Sequence, residues 1–278
     1  MSDLIEVATQ ARMTASAAAL GADPLSAVGH LLRTGRMPMI GDEVKPWRLK
    51  GWLRLIVQAL HAEAFSQTGF PDRWGYLARV VELRGLPSDP IPQVDFDNAD
   101  PVVLKITEKW LELLDKSSGQ WTSYRDFARF LGWGLGVHGE DPMLPDELSE
   151  KLYRQVDLGQ WLRRPSDYLG ELGAIRYGGG PHKFFPTPHP ICELMARMQL
   201  GGGREDIRCR SACDPAMGSA RMLLHASNHV LRLAGQDIDE VMVIIARVNL
   251  AVYAPWGLYN LDFLKGEDVV IEPPPGLL

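Results

Sequence analysis

The chain has 278 residues, of which 46% are hydrophobic and 23% are charged, and its formal net charge is −6. This length can bury a sizeable core, as one large domain or two smaller ones. The acidic balance argues against a freestanding nucleic-acid-binding protein, so affinity for DNA must come from a local basic patch or a partner. The odd number of cysteines, three, argues against a disulfide framework and favours a cytoplasmic protein. No apolar run approaches the roughly 18 residues that are needed to span a bilayer, so no membrane contact is expected.

The first 165 residues are predicted to form helices joined by turns marked by proline and glycine. Apolar residues recur at helical spacing after Pro24, Pro46 and Pro71. Three more helices are predicted over residues 100–115, 122–137 and 146–162. Residues 86–98 contain three prolines and three aspartates, which is typical of an irregular surface connection. We therefore expect residues 1–165 to form a helical amino-terminal domain, with an aromatic core to which Trp110, Trp121, Phe127, Phe130 and Trp133 contribute.

After residue 165 the pattern changes to alternating helices and strands. Two helices are predicted over residues 166–172 and 188–198, on either side of a loop that contains three consecutive glycines. Further along, strands are predicted over 207–213, 235–238, 258–261 and 268–271, and helices over 219–233 and 240–253. This alternation implies βαβ units with a largely parallel sheet. Residues 166–278 are therefore expected to form an α/β domain, with a nucleotide-like ligand at the carboxyl end of its first strand.

The most informative segment joins the first predicted strand to the next helix. It consists of Asp214, Pro215, Ala216, Met217, Gly218, Ser219 and Ala220. Small residues allow a tight turn and a close approach to a ligand, and a helix start offers free N–H groups. The segment resembles the D-P-A-C-G-S-G signature of adenine-N6 DNA methyltransferases, including type I modification subunits. In that family the turn binds S-adenosylmethionine (SAM).

Two segments before the turn also resemble this family. Residues 167–172 look like the D-x-L-G helix of type I-like enzymes. The segment formed by Phe184, Phe185, Pro186, Thr187 and Pro188 resembles the family's aromatic-T-P element, which lines the methionine end of SAM. Each segment alone has an ordinary explanation as a helix cap or as core. Their order and spacing favour the methyltransferase interpretation.

Three segments after the turn continue the family's order. Residues 235–239 resemble its second motif. In that motif an acidic side chain accepts hydrogen bonds from the ribose hydroxyls of SAM. Asp237, followed by Ile238, stands at the position of this acidic residue. Residues 246–253 resemble the A-x-x-N-L helix that follows. Asp262 and Phe263 belong to a segment similar to G-D-T-L, whose aspartate contacts the SAM adenine.

The resemblance covers roughly residues 165–276. It implies a helical amino-terminal domain followed by a truncated Rossmann-like SAM-dependent methyltransferase domain, with SAM as the cofactor. The residues expected to bind the cofactor are Phe185, Pro186, Thr187, Pro188, Asp214, Pro215, Ala216, Gly218, Ser219, Asp237, Ile238, Asp262 and Phe263. Two departures are expected to weaken this binding without abolishing it. Ala220 replaces the last glycine of the signature, and Met217 replaces its cysteine.

A third departure falls on the expected catalytic motif, N-P-P-aromatic. Glu272, Pro273 and Pro274 take the place of its first three residues, and Pro275 replaces the aromatic residue that stacks on a flipped base. Glutamate places its carboxylate one methylene further from the backbone than asparagine or aspartate does. Three interpretations stay open: a degenerate catalytic motif, an unrelated proline-rich tail and a working variant.

The resemblance also implies three further strands and a target-recognition region beyond this motif. The predicted strand over 268–271 is therefore expected to leave an exposed edge that carries Val269, Val270 and Ile271. Natural proteins cover such edges. We accordingly expect a homo-oligomer or a complementing subunit, and contact with DNA mainly through such a partner.

Other candidate sites are weaker. Cys209 and Cys213 are four residues apart around a strand without a second pair nearby, so buried thiols are expected in place of a metal site. His182 and His189 flank the aromatic-T-P element and are expected to be solvated loop residues. The resulting hypothesis is a SAM-binding protein of the adenine-N6 methyltransferase family that is inactive alone. It would be a pseudo-enzyme or half of a split enzyme in restriction–modification or anti-restriction. Its alternatives are an active methyltransferase with a variant motif and an interaction module with a vestigial SAM pocket.

Overall fold

The computed structural model describes residues 45–68, 71–115, 120–177, 184–201 and 206–264. This part of the chain is mostly helical, with a small parallel sheet of two strands. Its α-helices are α1 Trp52–Thr68, α2 Arg73–Leu83, α3 Pro101–Asp115, α4 Gln120–Gly134, α5 Asp146–Gln155, α6 Gly159–Arg163, α7 Tyr168–Tyr177, α8 His189–Leu200, α9 Arg221–Ala226 and α10 Glu240–Tyr253. Short 3₁₀ helices cover Pro46–Arg48, Pro255–Leu258 and Asp262–Leu264. The strands are β1 Ser211–Asp214 and β2 Arg232–Gly235.

The helical prediction for the amino-terminal half is confirmed within the described residues. Helix α2 follows Pro71 and begins at a cap in which the Asp72 side chain accepts a hydrogen bond from the Gly75 amide at 2.8 Å. Residues 86–98 contain neither helix nor strand. The single helix predicted over 146–162 is wrong, because the Asp157 side chain accepts from the Gly159 amide at 2.9 Å and starts a second helix there. The helix predicted after Pro24 lies outside the described residues.

The sheet differs in register from the prediction. Helix α9 ends at Ala226 instead of continuing to residue 233, and β2 occupies Arg232–Gly235 instead of 235–238. The cause is Asn228, whose side-chain amide donates to the Val94 carbonyl at 2.9 Å while its oxygen accepts from the Val94 amide at 3.0 Å. These two bonds hold the chain away from the helix axis and allow β2 to begin early.

Two other predicted strands also differ from the structure. The first, predicted over 207–213, begins only at Ser211, because a turn in which the Arg210 amide donates to the Ile207 carbonyl at 2.8 Å precedes it. The strand predicted over 258–261 is wrong. The 3₁₀ helix Pro255–Leu258, in which the Gly257 amide donates to the Ala254 carbonyl at 2.9 Å, includes only the first residue of that segment, and residues 259–261 contain neither helix nor strand. The strand predicted over 268–271 lies outside the described residues.

Buried side chains from both halves of the chain form one continuous core. Trp110, Phe127 and Phe130 are buried in it, as the sequence predicts. Helix α10 packs against α4, so an element of the carboxyl-terminal half lies directly on the amino-terminal helices. None of the described helices is long and apolar enough to cross a membrane. The division into residues 1–165 and 166–278 stays a prediction.

A buried arginine ties the two halves together. The Arg73 guanidinium donates to Ser227 Oγ at 2.7 Å and to the carbonyls of Tyr253 and Pro92 at 2.9 and 2.8 Å. It also lies 4.8 Å from the centre of the Trp256 ring. Burial lowers its pKa to about 9, which still leaves it charged at neutral pH. The charge is therefore compensated by hydrogen bonds to both halves, which the sequence does not reveal because the partners lie up to 180 residues away.

Candidate functional site

The turn after β1 is tied to the end of β2 by backbone hydrogen bonds. β1 and β2 are parallel, with Asp214 paired to Gly235 at their carboxyl ends. The Gln236 amide donates to the Asp214 carbonyl at 3.1 Å, and the Met217 amide donates to the Gln236 carbonyl at 3.0 Å. The Asp214 carboxylate accepts from the Ala216 amide at 3.1 Å. The predicted signature thus forms a tight turn at the carboxyl edge of the sheet.

Asp237 lies beside this turn. Its Oδ2 accepts from the Gly218 amide at 2.8 Å, and its Oδ1 accepts from the Asp239 amide at 2.9 Å. The side chain is half-buried. An ionised carboxylate has about four acceptor positions. Because these two bonds use two of them, about two acceptor positions are left for a ligand.

The aromatic-T-P loop covers the turn through Phe184. Gly218 has a φ of +50°, and a Cβ at this position would lie 2.7 Å from the Phe184 ring. Glycine is therefore required both by the backbone conformation and by the aromatic contact. Phe185, which is predicted to bind the cofactor, is 82% exposed, and its role stays a prediction.

The buried carboxylate of Asp167 forms hydrogen bonds to the turn and to the elements packed against it. Asp167 is fully buried, and it accepts hydrogen bonds from the Ser219 hydroxyl, from Arg221 Nε at 3.1 Å and from Asn249 Nδ2 at 2.8 Å. Its Oδ1 also accepts from the Gly170 amide at 2.8 Å. This one side chain connects three of the segments that resemble family motifs: the helix at residues 167–172, the turn and α10.

Close packing around Asp167 explains the glycine that follows it. A Cβ on Gly170 would lie 2.0 Å from Asp167 Oδ2 and 2.6 Å from Ser219 Oγ. Any larger residue would therefore displace the carboxylate or the hydroxyl. The D-x-L-G pattern needs its glycine to bring α7 against the turn.

Arg221 extends the same network to the loop. Its Nη2 lies 3.1 Å from Glu171 Oε2, and its Nη1 donates to the Thr187 carbonyl at 3.3 Å. Thr187, Pro188 and Phe185 have exposed side chains, so the loop is anchored by its backbone and by Phe184. The sequence signals Arg221 only by its position directly after the signature.

Ala220, which replaces the last glycine of the signature, adopts a left-handed conformation with a φ of 69°. We expect Ala220→Gly to change the free energy of unfolding by less than about 0.5 kcal/mol, because relief of strain offsets the lost methyl group. Ala226→Gly, at the end of the same helix, should cost about 1–2 kcal/mol. Urea denaturation followed by circular dichroism measures both, and equal losses would show that Ala220 is not strained.

Two histidines form a buried pair beside this network. His189 Nδ1 lies 3.0 Å from His225 Nε2, and His189 Nε2 lies 3.4 Å from Ser166 Oγ. Burial, assisted by the nearby Arg221 charge, lowers the pKa of both rings, that of His225 to about 4. Both rings are therefore neutral at pH 7. The prediction that His189 is a solvated loop residue is wrong, because it is the first residue of α8 and its ring packs against α9. His182 lies outside the described residues.

The structure does not bring every predicted site residue to the turn. Asp262 Oδ1 lies 3.7 Å from Nη2 of Arg232, the first residue of β2, whereas Asp237 lies two residues after Gly235, the last residue of this strand. Phe263 lies under the Arg84 guanidinium, 5.5 Å from it. Pro215, Ala216 and Ile238 are exposed beside the turn. Glu272, Pro273 and Pro274 lie outside the described residues.

The cysteines do not all have the predicted surroundings. Cys192 is buried, Cys209 is half-buried and Cys213 is exposed. The prediction of a buried Cys213 is wrong because the side of β1 that carries Ser211 and Cys213 is uncovered within the described residues. No group of three or more potential metal-ligating His, Cys, Asp or Glu side chains is gathered in this part of the chain.

A parallel strand pair with a tight turn after one strand and an acidic side chain after the other is the arrangement beside which nucleotide-like ligands bind in α/β proteins. Residues 175–254, which include the loop, the turn and Asp237, match the family model of the N-6 DNA methylases. The match agrees with the family that the motifs indicate, and over these residues the chain is similar to the N-6 DNA methylases. No curated protein and no solved structure matches it.

Proposed function

We propose that this protein binds SAM in the crevice formed by residues 184–188, the turn over 214–219 and Asp237. We further propose that it transfers no methyl group alone and reaches DNA through a complementing subunit in restriction–modification or anti-restriction. The observation that carries the SAM assignment is the Asp237 carboxylate. It lies next to the glycine turn and keeps about two acceptor positions, which matches the two hydroxyls of a ribose.

The residues around Asp237 fit such a ligand. Pro215 and Ala216 are exposed and present little bulk at the turn. Ile238 and Phe185 are 89% and 82% exposed, so large apolar side chains are available for the adenine and methionine parts. When bound, SAM supplies an electrophilic methyl group, and this chain's residues bind and orient it.

The proposal predicts that Asp237→Ala weakens SAM binding by about 1.5–3 kcal/mol, because two hydroxyls lose a charged acceptor. Isothermal titration calorimetry measures the affinity directly. With the wild-type protein, SAM at 100 times its Kd should raise the free energy of unfolding by about 2.7 kcal/mol.

Asp239→Ala is the matched control. Asp239 is two residues further on and caps α10 by accepting from the Val241 amide at 2.8 Å. Its loss should lower the free energy of unfolding by about 1 kcal/mol and leave the SAM affinity unchanged. Equal affinity in wild type and Asp237→Ala would refute the assignment of the ribose acceptor.

One observation favours an interaction module with a vestigial pocket as the second candidate. The Ala216, Met217 and Gly218 amides of the turn already donate to protein acceptors. Met217 fills further space, since a Cβ on Gly235 would lie 2.6 Å from its sulfur. Absence of SAM binding by the wild-type protein would favour this candidate over the first.

A further inference from the structure

The aromatic-T-P loop is held against the turn near both of its ends. At its start, the Phe184 ring packs on Gly218, where a Cβ would lie 2.7 Å away. At its end, the Thr187 carbonyl accepts a hydrogen bond from Arg221 Nη1 at 3.3 Å. Between these points the side chain of Phe185 is exposed. Two contacts, one apolar and one polar, thus fix the ends of the loop.

The polar contact is directional because the guanidinium of Arg221 is also held by two carboxylates. Its Nε donates to Asp167 Oδ2 at 3.1 Å, and its Nη2 lies 3.1 Å from Glu171 Oε2. Only 6% of the arginine side chain is exposed. A planar guanidinium with two of its nitrogens paired aims the third in one direction. In this structure that direction is towards the Thr187 carbonyl.

In the described part of the chain, two side chains donate to this carbonyl, and Arg221 is the stronger donor. The other is the Cys192 thiol at 3.5 Å, and a thiol is a weak donor. A hydrogen bond from a charged group is roughly twice as strong as one between neutral groups. Arg221 also directly follows the turn, and its partner Asp167 accepts from the Ser219 hydroxyl. One network therefore sets the positions of the loop and the turn together.

We propose that Arg221 is a positioning residue, which acts through the Thr187 carbonyl and holds residues 184–188 in place to receive the methionine part of SAM. This inference rests on the proposed SAM site, in which Asp237 binds the ribose and the loop meets the methionine part. A loop that is already in place loses little conformational freedom when the ligand binds. Loss of the Nη1 contact should therefore weaken binding of the methionine part and leave binding of the nucleoside part unchanged.

Arg221→Lys tests the inference, with S-adenosylhomocysteine and methylthioadenosine as the probes. Both probes are thioethers of adenosine, and only the first carries the amino-acid part. A lysine ammonium ends near the position of the guanidinium carbon, so it keeps the ion pair with Asp167 and does not reach the Thr187 carbonyl. Calorimetry should show a Kd for S-adenosylhomocysteine that is about tenfold higher, as expected when one hydrogen bond from a charged group is lost. The Kd of methylthioadenosine should change by less than about twofold.

Arg48→Lys is the matched control. The Arg48 guanidinium likewise donates to two carboxylates, those of Asp146 and Asp141, and to a backbone carbonyl, that of Leu144. None of these residues belongs to the loop or the turn, so both probes should bind Arg48→Lys as they bind the wild type. Circular dichroism should show the wild-type fold for both variants.

The two probes separate failure of this inference from failure of the proposed SAM site. Equal weakening of both probes by Arg221→Lys would overturn the inference, because that result indicates a general structural role. An unchanged affinity for S-adenosylhomocysteine would overturn it too, since the Thr187 contact would then not position the loop. A wild type that binds neither probe would instead refute the proposed SAM site, and the inference with it.

Discussion

Asp167→Ala is expected to lower the free energy of unfolding by about 3–5 kcal/mol. The substitution leaves the buried Arg221 guanidinium without its buried carboxylate partner, and it removes the acceptor for Ser219 and an acceptor for Asn249 Nδ2. Removing one member of a buried charged pair is costly because the remaining charge has no access to water. Chemical denaturation monitored by circular dichroism measures the loss.

Glu171→Ala is the control for this prediction. Glu171 contacts the same guanidinium at 3.1 Å, but about a third of its side chain is exposed. Its removal should cost about 0–1 kcal/mol, since water replaces the partner. If Asp167→Ala is too unstable to purify, Asp167→Asn keeps the shape and removes the charge. Losses of equal size at positions 167 and 171 would contradict the role of Asp167.

Local patterns in the sequence predicted the helices and the turn well. Helical spacing of apolar residues predicted α3 and α4, and the signature placed Asp214 at a strand end followed by a tight turn. These features depend on residues that are neighbours in the chain. Local information was therefore sufficient for them.

The errors arise where distant residues decide the structure. Four-residue strands are too short for periodicity to fix their register, and the bonds of Asn228 to Val94, 134 residues away, set where β2 begins. His189 is buried because His225 packs against it from another helix. A single sequence gives no sign of such pairings. In the aromatic-T-P loop, the sequence predicts Phe185 as the residue that contacts the cofactor, and it does not show that the adjacent Phe184 packs on Gly218.

We expect this chain alone to transfer no methyl group to adenine in DNA. The family's motif holds the target amino nitrogen in line with the methyl sulfonium, and such positioning supplies about 7–11 kcal/mol of the barrier reduction. In the proposed alignment with this motif, Glu272 carries its acceptor one methylene too far from the backbone for a site that needs placement within about 0.5 Å. Pro275 offers no aromatic face for a flipped base. Both deficits act on the same geometric requirement.

Incubation with radiolabelled SAM and adenine-rich duplex DNA tests this prediction, at a SAM concentration that calorimetry shows to be saturating. Wild type and Glu272→Asn should both give background incorporation, because the single substitution restores the acceptor and leaves Pro275 unable to stack. A reaction without the protein defines the background. Incorporation by the wild type that disappears in Glu272→Ala would show that the glutamate is a working variant of the catalytic residue. In that case one methylene would be tolerated, and the backbone before Pro273 would have to lie correspondingly further from the target base.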